Sequence, residues 1–172
     1  MERGQFETTA TTGQEIETLE LPGGAPITLR EVGSPMIPLW PSYLKASDGV
    51  VFVVDLSQPE QVAAAGVELN RLLRSPDMRG TPCTVLLNKT DAMHRMTVGE
   101  TAGLLALHEL AEACAADGIA VTCAACSGVT GAGCDDVIGC VRRWSRAKRG
   151  EAGGGEDSRT AGGGDSASTA QV

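Results

Sequence analysis

Lysine is scarce in this 172-residue chain: only Lys45, Lys89 and Lys148 occur, and none follows a glycine. A Gly-x-x-x-x-Gly-Lys-Ser/Thr loop, whose backbone N–H groups and lysine neutralise the β- and γ-phosphates of a nucleotide, is therefore not found within these residues. Aromatics make up only 3%, so a core has to be built from Val, Leu, Ile and Ala. With 14 basic against 22 acidic residues the net charge is −8, which argues against nucleic acid as a partner, since that needs clustered positive charge. No apolar run approaches the ~20 residues that cross a bilayer. No charged-then-apolar leader opens the sequence, and Glu2 in place of glycine excludes N-myristoylation of the chain as written. The expected location is cytoplasmic, where six cysteines read as free, mostly buried thiols.

What the chain does have is patterned apolar sequence. Residues 1–14 are polar and Thr-rich. "EIETLEL" (15–21) and "ITLREV" (27–32) alternate as half-buried strands do, and "LPGGAP" between them predicts an antiparallel hairpin. "LWPSYLKA" (39–46) reads as a short helix or turn after irregular Pro-containing steps. "GVVFVVDL" (49–56), "TPCTVLLNK" (81–89) and "IAVTCAA" (119–125) are continuous apolar runs, the mark of strands covered on both faces. Helical spacing predicts helices over 57–75 with Ser57 as N-cap, over 98–117 closed by Gly118, and over 133–149. The last carries Asp135 and Asp136 at its start and Arg142, Arg143, Arg146, Lys148 and Arg149 toward its end, an order that complements the helix dipole and leaves peripheral membrane contact open. Strand–helix alternation implies an α/β fold: a doubly wound, mostly parallel sheet with an antiparallel edge hairpin. The expected organisation is an N-terminal segment 1–14, a domain over 15–149, and a disordered Gly/Ala/Ser-rich tail over 150–172.

Chemistry concentrates in "VLLNKTD" (85–91), an apolar strand that stops at Asn-Lys-x-Asp. A carboxylate such as Asp91 offers both oxygens to the N1–H and exocyclic N2–H of guanine. Adenine lacks that donor pair and would leave the buried charge unsatisfied. Asn88 can tie neighbouring loops and approach the base, and the Lys89 stem can cover a ring face. Cys123-x-x-Cys126 has the spacing of half a zinc site or of a redox pair, but no second pair follows, and buried thiols are the simpler reading.

From about residue 10 to residue 146 the sequence resembles the ADP-ribosylation-factor branch of the small GTPases. "TTG" at 11–13 resembles switch I, where Thr11 would sense Mg²⁺ and the γ-phosphate. "REVGSPMIPLWPSY" at 30–43 looks like switch II, and "VVFVVDLSQPEQ" at 50–61 like the strand and loop after it. "AACSG" at 124–128 sits where the family has its third guanine-contacting loop, which would place the Ala125 N–H near guanine O6. By that resemblance Gly33 and Ser34 would approach the γ-phosphate, Glu31 would stand in for the Mg²⁺-holding aspartate, and Pro35 falls where the water-orienting glutamine belongs.

The resemblance implies a Ras-like, P-loop NTPase-type fold and a GTP/GDP-binding switch, with Mg²⁺, in intracellular membrane trafficking. Its partner would be an effector protein on the switch I–switch II face, beside Trp40 and Tyr43. The family's first strand, P-loop and first helix precede switch I, which here begins within a dozen residues of Met1. The expectation is a chain lacking that unit, with open apolar strand edges, weak or absent GTP binding by itself, and impaired hydrolysis, because proline offers neither side-chain donor nor N–H. The alternatives are a nucleotide-free interaction module and an N-terminally truncated fragment.

Overall fold

The computed structural model describes residues 11–20 and 26–148. The expected hairpin turn over 21–25, the start of the Thr-rich segment and the tail from 149 onward lie outside the described residues. The chain divides into two compact units, Met1–Lys45 and Ala46–Val172, each taken by itself below.

In the first unit, β1 (Gln14–Leu19) pairs antiparallel with β2 (Ile27–Val32), in a register running from Gln14 opposite Val32 to Leu19 opposite Ile27. The hairpin is as the alternation predicts, but β1 is not half-buried: all six of its residues are exposed. A two-stranded ribbon buries little surface of its own, whatever its side-chain pattern. After Gly33 the chain enters a 3-10 turn (Ser34–Leu39) and then α1 (Trp40–Leu44). The Pro-containing steps that look irregular in sequence form this turn because Pro35 stands in its first residues, where no N–H is needed. The Arg30 guanidinium lies 5.3 Å from the Tyr43 ring centroid, a cation–π contact within this unit.

The second unit is built on a parallel sheet in the order β3 (Val50–Asp55), β4 (Cys83–Asn88), β5 (Val121–Ala125). Only the central strand answers to the expectation of burial on both faces: Cys83, Thr84, Val85 and Leu87 are all fully enclosed. β3 buries Phe52 and Val54 but leaves Val53 55% exposed. It is an end strand, so its apolar run does not imply cover on both sides. The core joins these strands to Leu56, Val62, Leu69 and Met78, and Phe52 is the one aromatic ring among its described residues.

The helices depart from expectation in two places. α2 (Pro59–Leu73) starts at Pro59 with Gln58 as N-cap rather than Ser57, because Ser57 turns back to bond Asp55. The helix expected over 98–117 is two, α3 (Val98–Leu104) and α4 (Leu107–Ala115), broken where Ala106 adopts a left-handed φ of 48°. Leu105 and Leu107 are both buried, at 4% and 2% exposure. On one continuous helix two such residues would point roughly 200° apart; the break turns both inward. α3 begins at a capping box between Thr97 and Glu100, and Gly118, with φ +70°, follows α4 as expected. α5 (Cys134–Lys148) completes the unit, with Asp135 and Asp136 in its first turn. Among the described residues no helix is long and apolar enough to cross a membrane.

Candidate functional site

β3 and β4 are in register so that Asp55 stands opposite Asn88, and Leu87 of β4 stands opposite Ala125 of β5. Three strand exits therefore open at one level, at the carboxyl end of a parallel sheet, where α/β folds place their ligands.

Asn88 is the junction. Its Oδ1 accepts from its neighbour Lys89 N (2.8 Å), from Gly128 N (3.2 Å) and from Cys126 Sγ (3.4 Å). One side chain thus ties the exit of β4 to the exit of β5. The chain then reverses through Lys89, a non-glycine residue at φ 67°, with Ala92 N bonded to Lys89 O (3.0 Å) and Thr90 N to Cys126 O (3.1 Å).

Lys89 Nζ reaches Asp55 Oδ2 at 2.8 Å. The other oxygen of Asp55 accepts from Ser57 N (2.9 Å) and Ser57 Oγ (2.6 Å). Partial burial works against the charge on Asp55, but the bonds from Lys89 and Ser57 outweigh it and hold its pKa below the ordinary aspartate value. The Lys89 stem is consequently stretched between β4 and β3.

Asp91 Oδ1 accepts from Ser127 Oγ at 2.6 Å, and Ser127 is only 1% exposed. Ser127 is fixed in turn by Thr130 N onto its Oγ (3.0 Å), by its own N onto Ala132 O (2.9 Å) and by Gly131 N onto its O (2.8 Å). The result is a tight loop with a preset carboxylate on it.

Of the residues proposed from sequence, Asn88, Lys89 and Asp91 are brought together. Ala125 is the last residue of β5; the groups that meet Asn88 and Asp91 are Cys126, Ser127 and Gly128. Those three lie in the 124–128 loop that the resemblance marks as guanine-contacting, but only Ala125 was given a role there, and Asp55 was not singled out. The signal for Asp55 is an acid closing an apolar parallel strand, and for Ser127–Gly128 the polar pair that follows β5 at the level of Asn88.

In the first unit, Thr11 Oγ1 donates to Glu31 Oε1 at 2.5 Å, and Gly33 N bonds Gly13 O at 2.9 Å. A side-chain carbon on Gly33 would fall 1.9 Å from Thr11 O, so this crossing requires glycine. Ser34 and Pro35 open the 3-10 turn, with Met36 N on Gly33 O (2.9 Å). Among the described residues no group of three or more His, Cys, Asp or Glu is arranged to hold a metal. Mg²⁺ needs only one or two protein oxygens when phosphates and water complete its shell, and the adjoining Thr11 hydroxyl and Glu31 carboxylate have that chemistry.

A model of the ADP-ribosylation factor family matches residues 1–143. ADP-ribosylation factor-like protein 4D of Bos taurus is 39% identical over 109 residues, covering 60% of this chain and 54% of that protein. ADP-ribosylation factor-like protein 4C of Homo sapiens is 38% identical over 73 residues, covering 42% and 38%. The chain thus spans about half the length, or less, of these curated relatives. Among solved structures, that of the Arl6 BBS3 small GTPase from Trypanosoma brucei with bound nucleotide analogue GppNp superposes with a TM-score of 0.70, at 27% identity over 82% of this chain and 84% of that one. The α/β fold with its three-stranded parallel sheet and antiparallel strand pair is accordingly Ras-like.

Proposed function

Because the chain belongs to the ADP-ribosylation factor family, we propose that it is a guanine-nucleotide-binding switch whose base is read by Asp91, Asn88 and the loop after β5. The observation that carries this reading is the 2.6 Å bond from Ser127 to Asp91. It fixes one carboxylate oxygen and presents the group to the N1–H and N2–H of guanine, a pair adenine does not offer. The Oδ1 of Asn88 is already engaged three times, so its NH₂ end is the one directed to the acceptors N7 and O6. The Lys89 stem, held by Asp55, covers a ring face. We place the backbone N–H that meets O6 at Val129 rather than at Ala125, since Ala125 still belongs to β5 and the N–H groups of Ser127 and Gly128 are already given to Ala132 O and Asn88 Oδ1.

Thr11 and Glu31 would hold Mg²⁺, with Gly33 and Ser34 nearest the phosphate. The ion, when bound, neutralises phosphate charge; the task of the chain is to open the Thr11–Glu31 bond and turn both oxygens outward. Pro35 supplies no donor for an attacking water, so hydrolysis is slow. GTP-dependent output is contact with an effector protein at the segment that includes Trp40 and Tyr43, in intracellular trafficking.

A second reading, a nucleotide-free interaction module, is favoured by the internal pairing of Lys89 with Asp55 and Thr11 with Glu31, which satisfies these groups without a ligand. Titration of the folded chain with fluorescent GDP, GTP and ADP, with and without Mg²⁺, separates the two. A switch binds guanine nucleotides at least ~10-fold more tightly than ADP, as expected for losing charge-assisted bonds to the base, and loses that preference in Asp91→Ala. Binding without base preference, or none by a folded chain, overturns the switch reading.

A further inference from the structure

Gly133 lies so close to the end of β5 that a side-chain carbon on it would fall 2.0 Å from Ala125 O and 3.2 Å from Cys126 Cα, and its φ is +73°. Cys134 follows one Cα–Cα step, about 3.8 Å, beyond that crossing. The two cysteines therefore stand at the two ends of the loop 127–133 and against each other. Cys126 Sγ donates to Asn88 Oδ1 (3.4 Å), and Cys134 Sγ donates to Ser127 O (3.7 Å).

We propose that Cys126 and Cys134 form a reversible thiol–disulfide site that closes the base-reading loop with a covalent bond. Cys126 is buried, 4% exposed, whereas Cys134 is only half-buried, so Cys134 reacts first. Its thiolate attacks a low-molecular-weight disulfide, forms a mixed disulfide and releases one thiolate. Cys126 then gives up its proton and attacks the Cys134 sulfur, expelling the second thiolate. The two protein thiols lose two electrons and two protons; the attacked disulfide gains them and leaves as two thiols. Burial, and after it the adjacent Cys134 thiol, push the Cys126 pKa up, which makes the second step the slow one. Cys83 and Cys114 also feel each other, but both are buried, out of reach of a reagent while the chain is folded.

Once bonded, Cys126 has no S–H to give Asn88, which keeps only the Lys89 and Gly128 donors. On the proposed guanine reading, on which this consequence alone rests, GDP affinity falls roughly two- to tenfold, the effect of one net hydrogen bond.

The test is to treat the folded 172-residue chain with oxidised glutathione, block remaining thiols with a maleimide and weigh it intact. The expected result is loss of two of the six free thiols with no glutathione retained, reversed by dithiothreitol. In Cys126→Ser the glutathione adduct stays on Cys134, in Cys134→Ser all remaining thiols survive, and in Cys123→Ser and Cys140→Ser two are still lost. Six surviving thiols in the parent chain, or a two-thiol loss that persists in Cys126→Ser, overturns the pairing. The readout needs no nucleotide, so its failure is distinct from failure of the guanine reading; a chain that forms the bond but binds GDP equally in both states refutes only the coupling.

Discussion

Ser127 and Asp91 are 36 residues apart in sequence and 2.6 Å apart in space, joined by a hydroxyl that gives its proton to the carboxylate and accepts from Thr130 N. Ser127→Ala leaves both Asp91 and Thr130 N without that partner. The expected result is a stability loss of about 1–3 kcal/mol in urea unfolding, together with a reduced preference for GDP over ADP. Unchanged stability and unchanged selectivity would show that the bond positions nothing.

The Lys89–Asp55 pair gives a pH signature. The pKa of Asp55 is lowered in the folded chain, so its contribution is present above the ordinary aspartate pKa and lost as pH falls through the lower folded value. Lys89 is 48% exposed and Asp55 28%, and solvent screening limits the pair to about 0.5–1 kcal/mol. The difference in urea midpoint between the parent chain and Asp55→Asn is expected to be steady from neutral to mildly acid pH, to begin falling near about pH 4 and to vanish only below the lowered folded pKa.

At Ala106 the two readings of 98–117 predict opposite signs. In a continuous helix Ala106→Gly destabilises by about 1 kcal/mol. At the observed φ of 48° glycine relieves the left-handed backbone, and the substitution is expected to be neutral to stabilising, by up to about 1 kcal/mol. Thermal unfolding of the one variant decides the matter.

Burial, and then Cys114, push the Cys83 thiol up to about 12. It is expected to resist iodoacetamide at pH 8 in the native chain and to react once urea unfolds it, which peptide mapping after alkylation reads directly. Alkylation of Cys83 at the rate of a half-exposed thiol in the folded chain would contradict its place in the core.

Leu87→Ala probes the packing beneath the site. Leu87 is fully enclosed in the central strand, one residue before Asn88, and its truncation is expected to cost about 2–5 kcal/mol. Urea unfolding followed by circular dichroism measures it.

The sequence made β4 legible because a strand with neighbours on either side really is apolar throughout. "GVVFVVDL" carries the same kind of run, yet β3 stands at the end of its sheet and exposes Val53; composition does not report a strand's place in a sheet. Asn88, Lys89 and Asp91 were legible as a local motif with known chemistry. The loop holding Ser127 and Gly128 was legible through the family resemblance, but their individual contacts were not, because these depend on which residue of β5 stands opposite Leu87, a register that exists only once the sheet has formed. Ser57 as helix cap failed for a related reason: Asp55, two residues upstream, is a stronger acceptor for its hydroxyl and N–H than the helix end is a donor. The break at Ala106 was hidden because alanine is the strongest helix former, so nothing in the local sequence marks a left-handed turn there.

The pairing of Asp55 with Asn88, and of Leu87 with Ala125, means that the groups gathered at Asn88 are spaced by the ladder and not by the loops that carry them. Strand neighbours sit about 4.8 Å apart wherever such a sheet occurs. The segments 88–91 and 126–133 are therefore a transferable pair: moved together onto another parallel sheet at matching register, they would arrive already at the right separation. Moved singly, neither would.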